Sequence, residues 1–139
     1  APAISAAAIR VVSIEPTVIE GFQFLYQYVE ETEFVLCLEG KRAGNRVHVT
    51  GFRLARMKTT TAYRVAYEDC ANNDYVGTAH NHPPTASGAS LCYQSEADHH
   101  SFHTDTRALI DIILCGDTKF LWVLKDGRSK IEGAALPKT

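Results

Sequence analysis

Apolar positions along the chain switch between two spacings, and each switch marks a new element. Residues 9–14 (IRVVSI) form a short β-branched run of the kind strands favour. Pro16 suits the first turn of a helix, where its missing N–H costs nothing. Val18, Ile19, Phe22, Leu25, Tyr26 and Val29 then recur at helical spacing and predict an amphipathic helix to about residue 31. Residues 34–38 (FVLCL) are apolar without a break, as in a strand covered on both faces. Residues 40–45 read as a turn, and Val47 and Val49 open a strand that runs past Gly51 to Leu54.

Farther on, Thr59, Thr60 and Thr61 form a polar break, after which Tyr63, Val65 and Tyr67 alternate as a half-buried strand would. Asn72-Asn73-Asp74 is a turn signal, followed by a strand over residues 75–79. Pro83 and Pro84 end it, because proline has no N–H to donate to a ladder. Residues 84–94, with Thr85, Ser87, Gly88 and Ser90, read as a loop. Ser95 is then placed as the N-cap of a helix to about residue 105, with Glu96 and Asp98 in its first turn. Two last strands, 108–114 and 120–124, are joined at Gly116-Asp117 and closed by Asp126-Gly127. No internal repeat or linker interrupts this order, which predicts one mixed α/β domain over residues 1–139.

Composition narrows the class. With 45% apolar and 22% charged residues a core forms without disulfide staples. A net charge of -2 gives no reason to expect nucleic acid or an anionic membrane as partner, and Lys41, Arg42 and Arg46 read as a solvated turn. No run reaches the roughly 20 apolar residues of a membrane span, and Ala6, Ala7 and Ala8 follow no basic segment that would mark a signal peptide. The four cysteines make no CxxC pair. Cys37 and Cys115 sit in apolar runs and read as buried free thiols, while Cys70 and Cys92 lie in polar stretches where pairing is a minor alternative. A cytoplasmic location is expected on that reading.

Five of the six histidines fall between residues 80 and 103. In an extended segment His80 and His82 project to the same side, so both imidazoles can meet one ion. A catalytic zinc takes three protein ligands and keeps one position open. Asp98, near the start of the next helix and three residues after Ser95, supplies the third. His-x-His alone is a weak signal; joined to Ser95-x-x-Asp98 it becomes specific. His99 and His103 stand one turn apart on the same helix, a spacing that can bind a metal by itself. They are read as residues behind the ligands or along a substrate cleft, with His100 pointing elsewhere. Neither the HExxH of thermolysin-like enzymes nor the PCxxC of zinc deaminases occurs.

His80-x-His82-Pro83 followed by Ser95-x-x-Asp98 resembles the signature of the JAB/MPN (JAMM) zinc isopeptidases. That signature includes an upstream glutamate opening a segment of mostly apolar residues that ends in glycine, and residues 33–40 (EFVLCLEG) have this form. Two departures stand out: the stretch between Pro83 and Ser95 is longer than the compact family spacer, and Leu36 replaces a commonly small residue. The resemblance spans nearly the whole chain. It implies a mixed, curved sheet flanked by helices, with a cytidine-deaminase-like architecture. It also implies a Zn2+ ion on His80, His82 and Asp98, with Glu33 carrying the proton and Ser95 donating to the developing oxyanion. Glu39 is the rival base, read more simply as a strand-rim residue. The implied partner is a protein or peptide substrate, such as the tail of a ubiquitin-like protein, with selectivity in the loops 55–61 and 84–94. Two other classes remain beside the enzyme: an MPN scaffold without turnover and a metal-binding regulatory domain.

Overall fold

The computed structural model describes residues 8–28, 33–60, 65–67, 69–82, 92–116 and 118–133. In chain order the elements are β1 (Val11–Ile14), α1 (Pro16–Tyr28), β2 (Val35–Ala43), β3 (Arg46–Leu54), β4 (Met57–Thr60), β5 (Val65–Tyr67), β6 (Tyr75–Asn81), α2 (Glu96–Thr104), β7 (Ile110–Leu114), β8 (Phe120–Leu124) and β9 (Ser129–Glu132). Seven strands form one mixed sheet in the order β1-β3-β2-β6-β7-β8-β9, and β4 pairs with β5 alone. Within the large sheet β1–β3 and β6–β7 run parallel, and the other pairs are antiparallel.

Each helix covers one face of this sheet. Val18 and Phe22 of α1 join Leu36, Leu38, Val47, Ile112 and Leu114 in the main core. Phe22 packs against Phe52 and edge-on against Phe120, with ring centroids 5.6 and 5.9 Å apart. Each large side chain withdrawn from water here contributes about 1.5–3 kcal/mol. Phe102 of α2 packs with Ile113, Leu121 and Val123 on the opposite face. All of β7 is therefore buried, Asp111 included. At the β1 edge, Ser13 meets His48 Nδ1 at 2.5 Å and Glu15 meets His48 Nε2 at 2.8 Å, tying β1 to β3.

Two glycines set the geometry. Gly44, at φ +59, opens the two-residue turn between β2 and β3, where a positive φ suits the strand twist. Gly77, at φ +152, brings β6 so close to β7 that a Cβ would lie 1.8 Å from the Ile110 carbonyl oxygen. Only glycine fits there.

The sequence reading needs correction at several points. The turn expected over 40–45 shrinks to Gly44-Asn45, because β2 continues through exposed Lys41 to Ala43. The polar break expected at Thr59–Thr61 is instead the end of β4, at least to Thr60. Residues 129–132 form an edge strand that no apolar alternation announced. Val29, Thr61, Tyr63, Asp117 and residues 83–91, most of the expected loop, lie outside the described residues. The cysteine reading is overturned: Cys37 pairs with Cys70 and Cys92 with Cys115, leaving no free thiol. Each apolar-run cysteine thus finds its partner in a polar stretch, across separations of 33 and 23 residues that carry no local signal.

Candidate metal centre

β6 lies between β2 and β7, so its C-terminal end is fixed from both sides. His80 and His82 share the face toward α2, while Asn81 between them is turned to the other side and almost wholly buried. Asn81 Oδ1 accepts a 2.7 Å bond from the Phe34 N–H, which ties the start of β2, and with it Glu33, to the histidine strand. The His82 N–H donates to the Leu114 carbonyl at 3.0 Å, extending the β6–β7 ladder one step past the last strand residue.

The third group comes from the first turn of α2. Ser95 is the N-cap and forms a capping box: its hydroxyl accepts from the Asp98 N–H at 3.1 Å, and its own N–H donates to Asp98 Oδ2 at 3.0 Å. This exchange holds the Asp98 carboxylate toward β6. Oδ2 lies 3.1 Å from His80 Nε2 and 3.1 Å from His82 Nε2, and the two imidazole nitrogens are 3.3 Å apart. Three donor atoms thus form a nearly equilateral triangle, the one such group of three among the described residues.

That triangle fits zinc. Tetrahedral bonds of 2.0–2.2 Å place neighbouring ligand atoms about 3.3–3.6 Å apart, slightly wider than the observed edges of 3.1, 3.1 and 3.3 Å. Donor chemistry points the same way. If both Nε2 atoms carried the proton needed to bond Asp98, two N–H groups would face each other at 3.3 Å. A cation replaces both protons and removes the conflict.

Electrostatics agree. Burial opposes charge on His80, yet the hydrogen bond to Asp98 and the charges of Asp111, Asp98 and Glu33 outweigh it and push its pKa up to about 9. Burial likewise opposes charge on Asp98, but bonds from His80 and His82 hold its carboxyl far below the usual carboxylate range. The pocket therefore gathers negative charge and draws a positive one. Glu33 stands in the same field: its burial raises its pKa, and the two histidines only partly offset that rise.

The structure brings Glu33, His80, His82, Ser95 and Asp98 to one place. Glu39 is elsewhere, opposite Tyr75 on β6 rather than His80, with its carboxylate accepting from Arg53 Nη2 at 3.1 Å. Leu36 is fully buried opposite Ala79, so the larger residue on β2 is matched by a small one on β6. His99 and His103 are exposed, with ring centroids 4.1 Å apart, and neither enters the triangle. His99 Nδ1 lies 3.4 Å from Gln94 Oε1. His100 is also exposed.

One polar residue of this region escaped the sequence reading. Asp111 of β7 is 3% exposed, and burial pushes its carboxyl up to about 6 against the opposing charge of His80. Its Oδ1 lies 3.9 Å from His80 Nδ1, and its Oδ2 accepts from Gln94 Nε2 at 2.8 Å. A lone acid inside IDIIL was the available signal. Tyr93, half-exposed, also stands edge-on to His82, with centroids 6.0 Å apart, at the solvent side of the site.

The fold is that of JAB1/MPN domains. A crystal structure of a JAB1/MPN domain protein from Archaeoglobus fulgidus superposes with a TM-score of 0.53, covering 85% of this chain and 94% of that one. The two are 15% identical in sequence, a level at which the likeness concerns the fold alone. No family model matches the chain, and no curated protein matches it in sequence.

Proposed function

We propose that this JAB1/MPN-fold chain is a zinc-dependent hydrolase of peptide or isopeptide bonds, acting at the C-terminal tail of a ubiquitin-like protein. The observation that carries the reading is the His80–His82–Asp98 triangle of donor atoms with Glu33 beside it. Zinc held there would supply a Lewis acid that activates water near neutral pH and polarises the scissile carbonyl. The remaining work falls to the chain's own groups. Glu33, with its pKa raised by burial, is suited to take a proton from water and pass it to the leaving amine. The Ser95 hydroxyl accepts from the Asp98 N–H, which leaves its own proton to donate to the carbonyl oxygen as charge develops. Such a donor is typically worth roughly 2.7–4 kcal/mol in the transition state.

The scaffold reading differs in outcome rather than in fold. Zinc analysis of the purified protein, followed by cleavage of a panel of ubiquitin-like fusions, separates the two. Wild type should hold about one zinc per chain and cleave. Glu33→Gln should keep the metal and lose cleavage, and His82→Ala should lose both. A fully zinc-loaded wild type inert on every fusion would overturn the hydrolase reading in favour of a non-catalytic domain, scaffold or metal-binding regulator. The absence of zinc would remove the centre itself.

Location follows a different line of support. Two disulfides that consume every cysteine favour an oxidising compartment over the cytoplasm expected from the sequence. Among the described residues no helix is long and apolar enough to cross a membrane.

A further inference from the structure

We propose that Asp111 is a positioning residue for the metal centre: it sets the His80 ring from behind and, through Gln94, the segment that delivers Ser95 and Asp98. The proposal rests on the zinc centre argued above.

The first argument is cost. β7 is buried along its length, and Ile110, Ile112, Ile113 and Leu114 show what packing alone selects there. A carboxylate at such a position opposes stability, and an apolar residue of similar size would serve the core as well or better. The second argument is placement. Thr78 and Asp111 are register partners on β6 and β7, and His80 lies two residues on from Thr78 on the same face. The carboxylate therefore stands diagonal to the imidazole and faces Nδ1, the ring nitrogen turned away from the triangle, at 3.9 Å. That is too long for a direct hydrogen bond, so the contact acts through its field and the ring's orientation. From that distance the negative charge favours the ring proton on Nδ1 and so raises the basicity of the ligating Nε2. The third argument is connection. Thr78 Oγ1 donates to Oδ1 at 3.5 Å and Gln94 Nε2 donates to Oδ2 at 2.8 Å, so β6, β7 and the approach to α2 meet on this one group. Gln94 immediately precedes Ser95. A shift of this carboxylate would be felt by ligands from two separate elements.

Two variants and three readouts test it. Asp111→Asn keeps the size and a polar partner for Thr78 and Gln94 while removing the charge; Asp111→Leu replaces the group with core-like bulk. Zinc affinity is measured by chelator competition, the ligand field by the absorption of the cobalt-substituted protein, and packing by thermal unfolding of the metal-free protein. Both variants should bind zinc about 10–100-fold more weakly, with an altered cobalt spectrum. The metal-free midpoint should stay the same or rise. Zinc affinity within twofold of wild type in both variants would overturn the proposal. So would a loss of affinity that only tracks a fall in the metal-free midpoint, since that describes a packing residue. A wild type that binds no zinc would instead overturn the centre on which the proposal depends.

Discussion

On the α1 side of the sheet the core is apolar from Val18 and Phe22 across Leu36 and Leu38 to Ile112 and Leu114, with buried Asn81 at its margin held by the Phe34 N–H. On the α2 side the same strands bury His80, His82 and Asp111 next to a smaller apolar cluster around Phe102 and Ile113. One face thus gains from nearly all it removes from water; the other withdraws ionisable groups that would rather stay there. The second face is correspondingly braced. Ser95 and Asp98 cap α2 reciprocally, and Cys92–Cys115 clips the approach to α2 onto the end of β7. A 23-residue separation of that kind stabilises by about 3 kcal/mol in a chain-entropy account. The contrast shows where stability is made and where it is given up to bury a cluster of polar, metal-ligating side chains.

The comparison can be broken most forcefully by exchanging the roles of the faces. Leu36→Ala on the α1 side should cost about 2–5 kcal/mol, because Leu36 is fully buried and its loss opens a cavity. Denaturant unfolding should show this loss equally with and without zinc. If it appeared only in the metal-free protein, the two faces would not be separable. A smaller effect sharpens the contrast through pH. His80 has its pKa raised from 6.5 to about 9 in the metal-free fold. A raised folded-state pKa means a stabilisation complete below about pH 6.5 and lost as the pH climbs through about 9. Metal-free protein should therefore melt progressively lower across that window. Zinc-loaded protein should not, because ligation needs the deprotonated imidazole. The same melting trend in both forms would show that His80 does not hold the metal. The smallest expected effect lies outside both cores. His99→Gln and His103→Gln change exposed side chains and should shift stability by no more than about 0.5 kcal/mol, leaving zinc content unchanged. A zinc loss in either variant would move ligation toward the helix.

The two faces also differ in how legible they were. The α1 side announces itself through periodicity: Val18 and Phe22 at helical spacing, and the unbroken FVLCL. The donor triangle was legible by a different rule, since His80-x-His82 and Ser95-x-x-Asp98 place ligating side chains at a diagnostic spacing. Elements built from polar edge residues were missed. The end of β2 at Lys41–Ala43 and β9 (SKIE) are mostly exposed, and their pairing is made by backbone bonds that any sequence can supply. The disulfides and Asp111 were hidden for another reason. Each gains its meaning from a partner far along the chain, and no local window contains both.

The contact of Gly77 with Ile110 fixes which β6 residue sits beside which β7 residue. Side chains on a strand alternate, so a slip of one position would turn Asn81 toward α2 and send both imidazoles into the α1 core. No intermediate placement exists between these two. The centre is therefore specified as a parity: it is assembled in full or lost in full, and one missing methyl group on Gly77 reads out which.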